Sequence, residues 1–387
     1  MKKQIAILGS TGSIGQTLIN IIKEKPNLYK VSLLTSNKNY KLLLKQAKTL
    51  KVKNLILTDL KYYNLAKKKL KRTKINIFNN FSSFKKIFKK RKIDYTMSAI
   101  VGIAGLKPTI DIIKHTNKIA IANKESIICG WDLIKKEIQK HKTEFIPVDS
   151  EHFSIWYSLK YNKDPINKIY ITASGGPFIN YPIKKFKNIK ISQAINHPNW
   201  KMGKKISIDS ATMMNKVFEV IEAKNIFNLS YKNISILSHP KSYVHSLINF
   251  QNGLIKIIAH DTNMTIPISN SINTQIKLKN RNTEINLEKL NNLELKKIDL
   301  KKFPTIKILN MLTDKHSLFD TIIVSANDEL VNLYLKNKIK FTDISSKLLK
   351  LLKNKEFIKY KQIKAKNTDE IIKLNSYVRL KINPKSI

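Results

Sequence analysis

An apolar run at residues 5–8 passes without interruption into Gly9-Ser10-Thr11-Gly12-Ser13-Ile14-Gly15, and an amphipathic stretch follows at 18–25. A buried strand that turns on glycines straight into a helix leaves the chain few folds. The alternation continues. Residues 31–35, 54–57, 94–100 and 119–122 read as further strands, and 40–50 reads as a helix. Strand and helix in strict alternation imply a parallel sheet covered on both faces. We therefore expect an α/β fold with an N-terminal doubly wound, Rossmann-like parallel sheet over residues 1–148.

The pattern then changes. Strand-like runs at 169–173, 234–237, 242–250 and 254–260 follow one another closely around one strong helix from about 211 to 224, which predicts a central α+β domain over 149–277. A Lys- and Asn-rich stretch, 278–302, reads as a linker. The remainder, 303–387, reads as a C-terminal helical domain, with Thr342 as an N-cap before Ile344, Leu348, Leu351 and Leu352 at helical spacing.

Composition narrows the function. The net charge of +45 at first points to a polyanion partner, yet only four of 72 basic residues are Arg: Arg72, Arg91, Arg281 and Arg379. Nucleic-acid readers rely on the planar Arg fork. Here Lys is spread along the chain beside abundant Ile and Asn, as AT-rich codon drift would produce. We expect a solvated basic surface and no specific nucleic-acid partner. Cys129 is the single cysteine, which excludes an intrachain disulfide and fits a reducing cytoplasm. The apolar run behind Met1-Lys2-Lys3 is too short for a signal peptide, and no run of 18 apolar residues is present to span a membrane.

Several short motifs carry chemistry. Glycines at a strand-to-helix turn let backbone N–H groups approach a pyrophosphate at the helix N-terminus. About 20 residues on, an NAD site would place an acid; this chain has Ser36-Asn37-Lys38-Asn39, which suits the 2′-phosphate of NADP. Ala122-Asn123-Lys124-Glu125-Ser126 closes another strand, where ligands of open α/β sheets sit, so Asn123, Lys124 and Glu125 are placed to face cofactor or substrate, with a charged loop as the ordinary alternative. In Pro147-Val148-Asp149-Ser150-Glu151-His152, Asp149 and Glu151 would share one face of an emerging strand. They then serve either as oxygen ligands to a hard divalent cation or as plain caps.

Ser174-Gly175-Gly176-Pro177 fits both an anion-binding nest and a simple turn. Asn215, Lys216 and Glu219 share a helix face, with Glu222 one turn on. They fit a polar site or a surface ion pair. His197-Pro198-Asn199-Trp200-Lys201-Met202-Gly203 is a lid candidate, with a structural histidine as the alternative reading of His197.

Taken in order, GSTGSIG at 9–15, ANKES at 122–126, PVDSEH at 147–152, SGGP at 174–177, HPNW at 197–200 and ISIDSATMMNK at 206–216 with Glu219 resemble the 1-deoxy-D-xylulose 5-phosphate reductoisomerase family over nearly the whole chain. The resemblance implies a homodimer with N-terminal cofactor, central catalytic and C-terminal helical domains. It implies Mg²⁺ or Mn²⁺ at Asp149, Glu151 and Glu219. Substrate would be held by Ser174, His197, Ser210, Asn215 and Lys216 toward its phosphate, and by Lys124, Ser150 and Glu151 at its carbonyl end, with Trp200 above it. NADPH would lie along Thr11, Gly12, Ser13, Ile14, Asn37, Lys38, Asn39, Asn123, Glu125 and Gly203.

The implied reaction is metal-assisted rearrangement, by retro-aldol cleavage and re-addition, followed by hydride reduction, with Lys124, Asp149, Glu151 and Glu219 as its catalytic residues. Two positions depart from the family: Asn37 stands in place of Gly, and Asp261-Thr262-Asn263 in place of an acid followed by Pro. The rival reading is another NADP-dependent Rossmann oxidoreductase, of the semialdehyde dehydrogenase kind, whose thiolate could only be Cys129.

Overall fold

The computed structural model describes residues 1–89, 91–200, 202–272 and 285–383. They form two compact units. The first comprises Met1–Ser126, Asp132–Asp149 and Met264–Lys277; the second comprises Ile127–Trp131, Ser150–Asn263 and Leu278–Ile387.

The first unit runs β1 (Lys3–Leu8), α1 (Ser13–Glu24), β2 (Tyr29–Ser36), α2 (Tyr40–Thr49), β3 (Asn54–Leu57), α3 (Leu60–Leu70), β4 (Asn76–Phe78), α4 (Phe84–Phe88), β5 (Ile93–Ser98), α5 (Leu106–Ile113), β6 (Thr116–Ile121), α6 (Lys124–His141) and β7 (Glu144–Pro147). The sheet is parallel throughout, in the order β4-β3-β2-β1-β5-β6-β7. Strand order reverses at β1, so a crevice opens at the carboxyl ends of β1 and β5, where ligands bind in doubly wound folds.

Ile5, Ala6, Ile7 and Leu8 are wholly buried, and α1 meets the sheet through Leu18, Ile19, Ile21 and Ile22. Each large aliphatic side chain buried in this way contributes about 1.5–3 kcal/mol. The expected strands are present within two or three residues at their ends. The three-residue β4 was not anticipated, because Asn-Ile-Phe is too short to show a period.

The second unit runs α7 (Ser150–Leu159), β8 (Ile166–Ala173), α8 (Ile191–Ala194), α9 (Lys204–Ala211), α10 (Met214–Phe227), β9 (Ile234–Ser238), β10 (Val244–Phe250), β11 (Ile255–Ala259), then, beyond the Met264–Lys277 segment that carries α11 (Thr265–Ile272), α12 (Leu287–Asn291), β12 (Lys296–Lys297), α13 (Leu318–Leu335), α14 (Phe341–Leu352), α15 (Lys355–Ile358) and α16 (Thr368–Ile382). Its sheet is mixed, in the order β11-β10-β8-β9-β12; β8 and β9 are parallel and the other pairs antiparallel. Among the described residues, no helix is long and apolar enough to cross a membrane.

Three expectations shift. The segment carrying α11 groups with the first unit rather than with 149–263: Ile268 and Ile272, four apart, enter its core, and Ser271 Oγ lies 2.7 Å from Tyr95 Oη. The start of the expected linker, 278–284, lies outside the described residues, whereas α12 and β12 give its remainder regular structure. Finally, Lys340 rather than Thr342 is the N-cap of α14. The Asp343 carboxylate accepts the Lys340 N–H at 2.9 Å and starts the helix two residues early.

Candidate functional site

In the first unit the glycine turn is built from backbone. Gly9 has φ +81°, and a Cβ there would lie 2.7 Å from Ala99 O; a Cβ on Gly15 would lie 2.5 Å from Gly9 O. Neither position accepts a side chain without moving main chain. The turn is fastened to β2: Thr35 Oγ1 accepts Gly9 N–H at 2.9 Å, and Thr35 O accepts Ser10 N–H at 2.9 Å. Gln46 holds the other side, donating to Ser10 O at 3.0 Å while its Oε1 accepts the Ser10 hydroxyl at 2.8 Å. Gln46 was missed in the sequence; a polar residue buried on the inner face of α2 is the signal that marks it.

Gly12 is the N-cap of α1 and brings no side chain to cap the first-turn N–H groups of that helix. Thr11 Oγ1 lies 2.8 Å from Ser36 Oγ, which joins the turn to the end of β2. Asn37, Lys38 and Asn39 follow there, all exposed. Asn37 donates to Thr58 Oγ1 at 2.8 Å, and Asn39 caps α2 by accepting Leu42 N–H.

Asn123 does structural work. Its Oδ1 accepts Ser126 N–H at 2.6 Å as the cap of α6, and its Nδ2 donates to Gly102 O at 3.0 Å and to Ile100 O. Glu125 is buried, with its carboxylate 3.2 Å from Asn123 Nδ2. Lys124, between them in sequence, forms an ion pair with Asp149.

In the second unit α7 begins at Ser150, so Glu151 lies in the first turn of a helix and not on a continuing strand. Strand geometry therefore does not relate Asp149 to Glu151. β7 ends at Pro147, and the helix signal Asp-Ser-Glu takes over. Glu151 and Glu219 converge: Lys216 Nζ lies 2.5 Å from Glu151 Oε1 and 2.5 Å from Glu219 Oε2, and the two acids can bring carboxylate oxygens within 4.8 Å of each other. Asn215 donates to the remaining Glu219 oxygen. Burial works to lower the Lys216 pKa, but Glu151 and Glu219 raise it further, so the ammonium stays charged. His152, quoted in its motif but given no role from sequence, places its Nε2 2.8 Å from the Glu219 carbonyl and so ties α7 to α10.

The substrate-side residues also assemble. Gly175 and Gly176 have φ +81° and +59°, and a Cβ on Gly176 would lie 3.1 Å from both Ser210 O and Ala211 Cα, so the SGGP turn packs directly on the end of α9. Ser174 Oγ accepts Gly176 N–H at 3.1 Å and lies 3.0 Å from His197 Nε2. His197 Nδ1 accepts two backbone N–H groups, from Asn199 and Trp200, each at 3.1 Å. With Nδ1 an acceptor, Nε2 carries the proton and donates to Ser174. Burial, aided by the Lys216 charge, pulls the His197 pKa down to about 4, which keeps the ring neutral at physiological pH.

The expected lid is anchored at its start: Asn199 Nδ2 donates to Pro240 O at 2.7 Å and to Ser242 Oγ at 3.0 Å, and Trp200 meets His245 edge-on at 6.2 Å. Gly203 is exposed with open space around its Cα, so local packing does not demand glycine there.

The helix expected from 211 to 224 is α10, which starts three residues later, at Met214. Met213, at φ +62°, separates α9 from α10, leaving Ser210 on one and Asn215, Lys216 and Glu219 on the other. Cys129 lies inside α6 at 1% exposure, which removes the accessible thiolate that semialdehyde dehydrogenase chemistry requires.

A glycine turn on a parallel sheet in one unit, and a buried cluster of Glu151, Lys216 and Glu219 in the other, fit a nucleotide-dependent oxidoreductase of phosphorylated substrates. Comparison with known proteins agrees. A family model described as 1-deoxy-D-xylulose 5-phosphate reductoisomerase matches residues 5–130, and two models of that enzyme's C-terminal domain match 145–227 and 261–381.

The chain is 61% identical over 389 aligned residues to 1-deoxy-D-xylulose 5-phosphate reductoisomerase of Pelagibacter ubique (strain HTCC1062), covering all of both chains. It is 38% identical over 345 residues to that of Wolbachia sp. subsp. Drosophila simulans (strain wRi), covering 88% of each. Among solved structures, the reductoisomerase of Zymomonas mobilis in complex with NADPH superposes with a TM-score of 0.87 at 29% identity, covering 100% of both chains. A reductoisomerase complex with NADPH, fosmidomycin and magnesium gives 0.89 at 30% identity, covering 99% of this chain and 98% of that one. The chain belongs to the 1-deoxy-D-xylulose 5-phosphate reductoisomerase family.

Proposed function

We infer that this chain carries out the family's reaction, the NADPH- and divalent-metal-dependent conversion of 1-deoxy-D-xylulose 5-phosphate to 2-C-methyl-D-erythritol 4-phosphate, a step of non-mevalonate isoprenoid biosynthesis. The observation that carries the site assignment is the convergence of Glu151 and Glu219 on one buried cation, the Lys216 ammonium. Two carboxylates against one ammonium are a donor set that accepts a hard cation, and Asp149, two residues before Glu151 in sequence, would complete it. Asp149, Glu151 and Glu219 would hold Mg²⁺ or Mn²⁺, which supplies Lewis-acid polarisation of the substrate carbonyl.

The chain's own residues do the rest. Ser174, Ser210, Asn215 and Lys216 bind the phosphate end, and neutral His197 supports them by directing its Nε2–H at Ser174. That grip on a non-reacting group orients the reacting end. Lys124 stabilises developing negative charge at the substrate oxygens, together with Ser150 and Glu151, and Trp200 covers the bound molecule to exclude water.

The nicotinamide cofactor supplies hydride. Thr11, Gly12, Ser13 and Ile14 receive its pyrophosphate, Asn37, Lys38 and Asn39 its 2′-phosphoribose, and Asn123, Glu125 and Gly203 complete the site. Of these, Asn123 acts by holding its loop in shape. We further assign a homodimer: β11 is an edge strand that exposes Ile255 and Ile257, with Leu254 exposed beside them, which is an apolar border suited to a second copy. We place the enzyme in the cytoplasm, in keeping with its lone, buried thiol.

The deciding assay is NADPH consumption with 1-deoxy-D-xylulose 5-phosphate, with and without Mg²⁺. Turnover that depends on both is the expected result. Absence of turnover in the presence of metal, or undiminished turnover after chelation, would overturn the reading.

A further inference from the structure

Helix α9 is only two turns long, and the left-handed Met213 cuts it off from α10. A helix so short has little stability of its own, so its placement must come from tertiary contacts. The residue before Ser210 supplies them. Asp209 is 1% exposed; its carboxylate accepts Asn327 Nδ2 at 2.7 Å and pairs with Lys205 Nζ at 3.0 Å. Lys205 Nζ also reaches Asp328 Oδ1 at 2.9 Å, and Asp328 Oδ2 lies 3.1 Å from Arg379 Nη2. Arg379 Nη1 meets Glu329 Oε2 at 3.4 Å, and Glu329 Oε1 accepts Asn383 Nδ2 at 3.1 Å. A continuous run of charge-assisted contacts therefore links α16 through α13 to α9, all within the second unit.

The use of arginine supports a specific purpose. Only four of the 72 basic residues are Arg, and Arg72 and Arg91 are exposed. Arg379 instead spreads its fork over the adjacent carboxylates Asp328 and Glu329, which the point charge of Lys cannot match. Neighbouring Cα atoms are about 3.8 Å apart, so fixing Asp209 fixes the placement of Ser210.

We propose that Arg379, Asp328, Asn327 and Asp209 form a brace that positions Ser210 for the substrate phosphate, which makes Arg379 a positioning residue for sugar-phosphate binding even though it lies on the last helix. The proposal rests on the reading of Ser210 as a phosphate contact.

The test measures KM for 1-deoxy-D-xylulose 5-phosphate, KM for NADPH, kcat and Tm in Arg379→Gln, Arg379→Lys, Asn327→Asp and Ser210→Ala. Arg379→Gln should raise the sugar-phosphate KM about tenfold, as expected of a small misplacement, with the NADPH KM unchanged. Arg379→Lys should recover part of the loss, because the charge remains and the fork does not. Asn327→Asp, nearly isosteric, sets a like charge against Asp209 and should act in the same direction if Arg379→Gln does not fold. A fall in Tm with the sugar-phosphate KM unmoved in Arg379→Gln or Asn327→Asp overturns the brace. An unchanged KM in Ser210→Ala overturns the Ser210 reading and the brace with it, whereas a raised KM in Ser210→Ala alone overturns only the brace.

Discussion

The two units build their sites from opposite materials. The turn after β1 is a main-chain construction in which Gly9 and Gly15 leave no room for a Cβ and Thr35 and Gln46 fasten the loop. The cluster around Lys216 is a side-chain construction, with Glu151 on α7 and Lys216 and Glu219 on α10 sharing buried charge. The glycine turn should therefore be sensitive above all to shape, and the Lys216 cluster above all to charge. A backbone cradle fixes where a ligand lies; a charge cluster fixes what chemistry is possible there.

The sharpest way to break this contrast is Glu219→Gln, which keeps shape and removes charge. We expect the fold to persist by circular dichroism while kcat falls about 1000-fold, a loss of several kcal/mol. Near-normal turnover at saturating Mg²⁺ would show that charge does not matter there. Lys216→Ala comes next. Truncating one member of a buried charge group costs about 2–5 kcal/mol in binding, so the sugar-phosphate KM should rise on the order of 100-fold, while Lys67→Ala and Lys350→Ala leave it unchanged. A salt series with NADPH and Mg²⁺ present separates this loss from general screening.

In the first unit, Gly15→Ala should destabilise by about 2–3 kcal/mol in urea unfolding, because the added carbon meets Gly9 O. In the second unit, Gly203→Ala, in open space, should leave stability unaltered. Lys38→Asp should then move preference from NADPH toward NADH by about tenfold in the ratio of kcat/KM, the effect of one charge at an exposed site. Equal use of both cofactors by the unaltered enzyme would remove the basis for that expectation.

His197 adds a dependence on pH. The folded pKa of His197 near 4 lies below its ordinary 6.5, so between these values the unfolded chain binds more protons. Stability from the neutral ring is complete above pH 6.5 and declines as pH falls toward 4. A ring NMR signal that titrates near 6.5 in the folded enzyme would contradict this.

The same contrast explains what could be read from sequence. The glycine turn was legible because its constraint is local: seven consecutive residues between an apolar run and an amphipathic one. The charge cluster was half legible. Asn215, Lys216 and Glu219 share a helix face by spacing alone, but Glu151 joins them from 65 positions before Lys216, a meeting that only the fold arranges. Asn123 shows what position alone does not reveal: it stands where ligands approach, and its amide also holds Ser126 and Gly102. α11 escaped the division into domains because Ile268 and Ile272 show that a buried face exists without showing which core receives it.

Met213 carries a consequence for how this sequence can change. A non-glycine residue in the mirror-image helical region costs about 1–2 kcal/mol, and glycine would abolish that cost. Yet the Met213 side chain is 1% exposed and packs with Ala173 and Phe303, so removing it would leave a hole worth about 2–5 kcal/mol. The two demands conflict, and volume outweighs comfort. The joint is thus a point of local frustration, where the backbone is held against its own preference by the plug it inserts. Substitutions in the wall around that plug, at Phe303 above all, would release the joint without touching a single polar group of the site.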